Sequence, residues 1–375
     1  MFAALNNRDL RKNTTSHNLS TPKSIDFSHL EQEFVELLNL ENLDQQVTQN
    51  PQCVEALEDA IAAALPLAYG DASAPGDESA HWFLQRILYR INRLNLFWYD
   101  DLQHYKNERS LYLQWLRDRI ESAWQAWELE QMDVDSLKQQ DVQKTLRDWY
   151  EADLNPPITE NRRFLREDLD REGYRRLLAI TSLDGLVEAS RMSRILGGAS
   201  NEVQAMLIRV LMEEYGNGRL ARKHSTFFAK MMAEMHLDTT PEGYLDLAPW
   251  QLLASINHNF LLTECKQHFL RYNGGLTYFE IVGPSIYTDY LMAAQRLNLS
   301  EESSGYWELH IREDERHGLW MLEDVALPLA EQYPDQAWEI LLGYTQEKFI
   351  GERAGQAIIR HIQQAPTSLP NIYLA

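Results

Sequence analysis

Cysteine is scarce: Cys53 and Cys265 are the only two in 375 residues, and they lie far apart in the chain. They cannot build a disulfide framework or a thiolate metal site, and they fit a reducing cytoplasm. Basic charge is also short, with 35 Lys and Arg against 56 Asp and Glu and a formal net charge of −21. A nucleic-acid binder needs a basic face, as does a protein docked on an anionic bilayer, so neither partner is expected. Long apolar runs are missing as well. The best, Ala60 to Tyr69, falls far short of the roughly 20 residues of a membrane helix. The opening stretch, MFAALNNRDLRKNTTSHNLS, has no apolar segment suited to a signal peptide. A cytoplasmic location is therefore the expectation.

Glycine (17) and proline (13) are few, and long alternating Val/Ile/Thr runs are absent. Helical periodicity dominates instead, which predicts an all-α fold. Residues 1–26 are polar and turn-rich, and read as a flexible N-terminus. A helical region over 27–154 holds SHLEQEFVELLNLENL, VEALEDAIAAALPLA, HWFLQRILYRINRLNLFWYDDLQHY and SLYLQWLRDRIESAWQAWELEQM, interrupted by GDASAPGDE. The segment 155–162 (NPPITENR) marks a boundary, because Pro156 and Pro157 disfavour a continuing helix. A second domain over 163–375 should hold helices around 171–195, 200–215, 219–236, 248–272, 275–295, 305–330 and 334–363. The expected stops are GGAS, YGNG, LDTTPEG, NGG and LNLSEESSG. Ser200 and Thr240 occupy expected N-cap positions, and Pro241 suits a first turn.

The strongest chemical signal is HIREDERH, residues 310–317. At ~100° per residue, positions i, i+4 and i+7 fall within about 60° of one another, so His310, Asp314 and His317 share one helical stripe. Two imidazoles and a carboxylate so placed form a metal-ligand set. The bland alternative is a solvated charged face, since Arg312, Glu313, Glu315 and Arg316 lie in the same segment. Ligands beyond three must come from other helices. Glu280 stands alone in TYFEIVGPSI and Glu188 in LDGLVEASRM, and a buried carboxylate must be paired, protonated or coordinating. Glu214 and His224 bracket the YGNG break, where helical phase does not separate Glu213 from Glu214. His236, His258 and His268 are read as ordinary histidines. A carboxylate-rich set without thiolate suits iron or manganese, and seven ligands suit two ions. No Glu-x-x-His pair occurs among these residues, so the usual ferritin-like pattern does not fit.

Taken together, EEYGNGRLARKHSTFF, HLD, TECK, YNGGLTYFEIVGP and GYWELHIREDERHGLWML resemble the haem-oxygenase-like di-iron oxidases and oxygenases, also called iron-containing redox enzymes. The likeness covers about the last 210 residues. It is strongest to the N-oxygenating branch, which includes the N-nitrosourea-forming enzymes. The resemblance implies a haem-free bundle of about seven helices. It also implies seven ligands at Glu188, Glu214, His224, Glu280, His310, Asp314 and His317, and so favours Glu214 over Glu213. By the same resemblance, the cofactors are two Fe(II)/Fe(III) ions, with O₂ as co-substrate and an external electron donor. It implies an N-oxygenase acting on a small amine, guanidine or amino-acid-like substrate in specialised biosynthesis, with the N-terminal helical region either supporting a homodimer or extending the core of a monomer. No β-rich cupin segment follows the bundle, so the mononuclear-iron rearrangement of the nitrosourea-forming enzymes is not expected.

Two alternatives compete. A di-iron desaturase, decarboxylase or C–C lyase on an amino or fatty acid would use the same scaffold, often with a sparser ligand set. A non-catalytic metal-binding protein would keep its ligands closed to O₂. Arg191, Arg219, Arg222, Lys223, Lys266 and Arg271 lie near the ligand segments and could meet a substrate carboxylate, or could be surface cations.

Overall fold

In a computed structural model the described residues are 25–96, 102–198, 201–365 and 368–370. The expected flexible N-terminus and the Ser200 cap fall almost wholly outside them. Among the described residues every regular element is helical.

The N-terminal region forms α1 (Phe27–Leu38), α2 (Leu43–Gln49), α3 (Glu55–Tyr69), α4 (Glu78–Asn92), α5 (Leu111–Leu129) and α6 (Val142–Asp153). Its helices begin where side-chain oxygens can satisfy orphaned backbone N–H groups. Asp26 accepts from the His29 N–H, Asp77 from that of Ala80, Ser110 from that of Leu113 and Asp141 from that of Lys144. The bundle that follows contains α7 (Arg171–Gly185), α8 (Glu202–Glu214), α9 (His224–Glu234), α10 (Trp250–Glu264), α11 (Phe269–Arg296), α12 (Glu301–Trp320) and α13 (Trp338–Gln363).

The two regions share a core. Trp250 and Ala254 of α10 are buried among Phe83, Ile87, Leu116 and Trp124 of α4 and α5. The ring of His81 stacks on Trp250 at 4.0 Å, and Trp250 Nε1 donates to Glu78 Oε2 at 2.7 Å. Buried Asn257 donates to the Gln85 carbonyl at 2.9 Å and accepts from Asn92 at 3.1 Å. Such buried amides need partners, and their partners lie across this seam.

Several expected boundaries shift, each for a local reason. The predicted 171–195 helix ends at Gly185, and a 3₁₀ segment (Ser190–Ile195) follows Ala189, which has φ +60°. The predicted 248–272 helix breaks at Cys265, and α11 begins at Phe269. The NGG triplet is no stop: Asn273, Gly274 and Gly275 lie inside α11. A Cβ on Gly274 would sit 2.0 Å from the Ile340 carbonyl oxygen, and one on Gly343 1.8 Å from that of Arg271. These glycines let the α11 and α13 backbones touch, and that packing outweighs their low helix propensity. Thr240 and Pro241 start no helix, because the Thr240 N–H and hydroxyl both bond back to Asp238 in a turn. Asn201 caps α8, its side chain accepting from the Gln204 N–H. After α12 the chain makes a π-helical turn, Met321–Ala326, a feature often found beside functional sites.

Candidate metal centre

The helices bring all seven sequence-predicted residues together. Glu188 follows the end of α7, Glu214 ends α8, His224 opens α9, Glu280 sits midway along α11, and His310, Asp314 and His317 lie on one stripe of α12. The YGNG break turns the chain between Glu214 and His224. Gly216 (φ +59°), Asn217 (+52°) and Gly218 (+76°) take left-handed backbone there, which glycine and asparagine tolerate best. The turn brings His224 Nδ1 within 2.9 Å of Glu214 Oε2.

Two overlapping donor groups result. Glu188, Glu214, His224 and His310 offer ligand atoms all within 4.8 Å of one another, and so do Glu214, Asp314 and His317. Glu214 belongs to both. Glu280 joins the second group, with Oε2 3.4 Å from His317 Nδ1. In the first group His310 Nε2 lies 2.9 Å from Glu188 Oε1 and 3.1 Å from His224 Nδ1. Except for Glu188, whose side chain is 14% exposed, these side chains are at least nine-tenths buried.

Buried polar atoms without partners recur within the cluster. Both carboxylate oxygens of Asp314, Nδ1 of His317 and Oε2 of Glu188 are buried and make no hydrogen bond. An orphaned buried polar atom costs roughly 1–3 kcal/mol, and more when charged. A row of them facing one another fits cations held between them. Four carboxylates would neutralise two divalent ions, and the all-O/N donor set suits iron or manganese.

The titration behaviour agrees. Burial, reinforced by neighbouring Glu280, holds the Asp314 carboxyl well above the usual carboxylate range. Burial opposes charge on His310 and His317, but Glu188 overrides it at His310 and Glu280 at His317. His310 is pushed well above its ordinary value, and His317 rises to about 10. Burial raises Glu188 too, yet the adjacent His310 leaves it below its ordinary value. The pocket thus draws positive charge inward.

The outward edges of the imidazoles are anchored. His310 Nδ1 lies 2.9 Å from the Tyr306 carbonyl, and His317 Nε2 lies 2.9 Å from Glu213 Oε2. Such partners fix the tautomer and orient the inward nitrogen. Glu213 is also paired with Arg316. Adjacent glutamates therefore divide the work: Glu214 points in and Glu213 braces from outside. Tyr306 Oη donates to Glu188 Oε1 at 2.8 Å, a contact sequence reasoning missed. Gly283 was missed too. A Cβ there would lie 2.7 Å from Asp314 Oδ2, so the glycine leaves room for that carboxylate.

His258 and His268 join neither donor group, though both ring nitrogens of His258 are buried without a hydrogen bond. His258 is fully buried edge-on to Trp124, and burial lowers it to about 3. His268 falls to about 4 for the same reason. Of the six cations, Arg191 lines a cavity of about 150 Å³ beside the cluster. Arg271 is paired with Glu339, Lys223 lies over the Tyr215 ring, and Arg219, Arg222 and Lys266 are exposed. No described helix is long and apolar enough to cross a membrane.

Residues 175–347 match the family described as "Iron-containing redox enzyme", a span that holds all seven residues. The nitrosourea synthase of Streptomyces achromogenes subsp. streptozoticus is 30% identical over 172 residues, covering 44% of this chain and 36% of its own length. The chain therefore spans about a third of that curated relative.

Proposed function

Since residues 175–347 match the family described as iron-containing redox enzymes, we propose that this protein is a non-haem di-iron, O₂-dependent N-oxygenase. Its substrate would be a small amine, guanidine or amino-acid-like molecule, left N-hydroxylated or further N-oxidised. The observation that carries the reading is the pair of donor groups sharing Glu214, with orphaned buried oxygens and a nitrogen facing inward. One ion would be held by Glu188, His224 and His310, the other by Asp314, His317 and Glu280, with Glu214 between them. The partial likeness to a nitrosourea synthase supports nitrogen, rather than carbon, as the oxidised atom.

When bound, two ferrous ions supply the electrons that activate dioxygen, with an external donor restoring them afterwards. The chain supplies everything else. Carboxylates shift between one- and two-oxygen contact more easily than imidazoles, so Glu188, Glu214, Glu280 and Asp314 give the site its adjustable ligands. His310 and His317, braced by the Tyr306 carbonyl and Glu213, give it fixed ones. Tyr306 holds Glu188 through its hydroxyl and stays protonated, because burial and that carboxylate push it well above its ordinary value. Tyr287, Tyr306 and Trp307 pack against one another and His310, forming an aromatic wall that excludes water from the reacting side.

The test is anaerobic loading with Fe(II), then an O₂ pulse in the presence of a panel of amines, guanidines and amino acids. Two irons per chain, oxygen uptake and an N-oxidised product by mass spectrometry are expected. Uptake without any N-oxidised product, or a product altered only at carbon, would sink the N-oxygenase assignment. Glu188→Ala is expected to lower the iron stoichiometry and activity. Full retention of both would remove the seventh-ligand argument.

A further inference from the structure

The cavity beside the metal centre has a second polar end that the ligands do not use. Along α11 the residues lining it run from Tyr272 and Gly275 through Phe279 and Glu280 to Tyr287. Phe279, 41% exposed, lies where this wall reaches the surface. At the Tyr287 and Glu280 end stand His310, Asp314, Glu188 and Glu214. At the Tyr272 and Gly275 end stand Asp184, Arg191, Asn259 and Glu347. Glu347, on α13, reaches into the space left by Gly275, whose Cβ would lie 3.4 Å from Glu347 Oε2.

This second end is out of balance in charge. Arg191 bonds to Asp184 and is committed there. Glu347 feels Arg191 at longer range and is hydrogen-bonded by Asn259. Two carboxylates thus face one guanidinium, in a wall where burial pushes Glu347 up to about 7. A purely structural ion pair needs one carboxylate, and a second, left in a cavity wall, is costly in its charged form unless a cation meets it.

Resting on the N-oxygenase reading, we propose that Glu347 is the specificity residue that holds a second, cationic nitrogen group of the substrate. The span sets the separation. Gly275 and Glu280 are five residues apart on α11, roughly 7.5 Å at 1.5 Å rise per residue. The substrate is therefore a short chain with a cation at one end and the reacting nitrogen about five to seven bonds away, given an advance of roughly 1.2 Å per single bond in an extended chain. A linear diamine, a guanidino-amine and a basic amino acid all meet this description.

The test is calorimetric titration of the full-length Fe(II)-loaded protein under argon, so that binding is read without turnover. The probes are 1,5-diaminopentane, agmatine, L-lysine, L-arginine and, as the single-cation reference, pentylamine. At least one two-nitrogen probe should bind tenfold or more tightly than pentylamine. Glu347→Gln should abolish that preference while leaving iron content unchanged. Should the Gln variant fail to fold, Glu347→Asp reads the same point, because its retracted charge should weaken the preference several-fold. Tighter L-lysine than 1,5-diaminopentane assigns an amino acid, and the reverse a diamine. Equal binding of one- and two-nitrogen probes by the wild type, or a preference that survives undiminished in a folded Glu347 variant, overturns the proposal. Failure to bind Fe(II) at all would instead overturn the metal-centre reading on which it rests.

Discussion

Replacing Gly283 by alanine places two opposed effects on one atom. Gly283 lies inside α11 and is buried, so alanine there should gain up to about 1 kcal/mol in helix propensity. Its new Cβ, however, would sit 2.7 Å from Asp314 Oδ2 and 3.3 Å from the Tyr287 ring, where ordinary contact begins at 3.4 Å. Asp314 is only 2% exposed and cannot swing to solvent. Its carboxylate must retreat by about 0.7 Å, at an overpacking cost of about 1–3 kcal/mol. The metal-free protein should therefore lose no more than about 3 kcal/mol. Metal affinity should suffer more clearly, since ligand distances tolerate only about 0.2 Å. We expect at least a tenfold weaker site, about 1.4 kcal/mol. Gly351→Ala is the matched control: it is exposed on α13, nothing lies within 4 Å of its new Cβ, and it should stabilise the fold by about 0.5–1 kcal/mol with metal binding unchanged. Denaturant unfolding of the metal-free chains and anaerobic Fe(II) titration read the two quantities separately. Wild-type Fe(II) affinity in a folded Gly283→Ala chain would refute Asp314 as a ligand.

Glu213 and Glu214 should separate cleanly on iron titration. Glu214→Ala should cost both ions, whereas Glu213→Gln, which only loosens His317, should weaken one by about 10- to 100-fold. Equal losses would mean the two roles are misassigned. Gly343→Ala should destabilise the chain by about 3 kcal/mol or more in urea unfolding, since its Cβ would overlap the Arg271 carbonyl at 1.8 Å. A mild effect would contradict the α11–α13 approach. Burial raises Glu347 from its ordinary 4.5 to about 7, so the fold prefers its neutral form. That contribution is complete below the ordinary value and is lost as pH rises through 7. Metal-free Glu347→Gln should therefore match wild type near pH 4 and exceed it near pH 8 by up to about 3 kcal/mol. A pH-independent difference in unfolding free energy would count against the burial of this carboxylate.

Much of the site was legible because its residues obey local rules. His310, Asp314 and His317 share a stripe through helical geometry alone, and Glu280 and Glu188 stood out as lone carboxylates in apolar surroundings. Resemblance to a known family then joined them to Glu214 and His224. The residues that sequence reasoning missed act across space. Nothing local marks Glu213 as the brace of His317, Tyr306 as the donor to Glu188, or Gly283 as the space for Asp314, because each meets a partner on another helix.

The boundaries failed for the same reason. NGG reads as a stop because glycine is a poor helix former, and it became mid-helix because α13 approaches too closely for any side chain. The helical class, the acidic surface and the ligand types follow from periodicity and composition, which act within a few residues. Which carboxylate faces inward, and how a second acidic end comes to lie along α11 from the metal centre, follow from packing between distant segments. Only the tertiary structure decides those, because burial and electrostatic pairing depend on which groups are brought together.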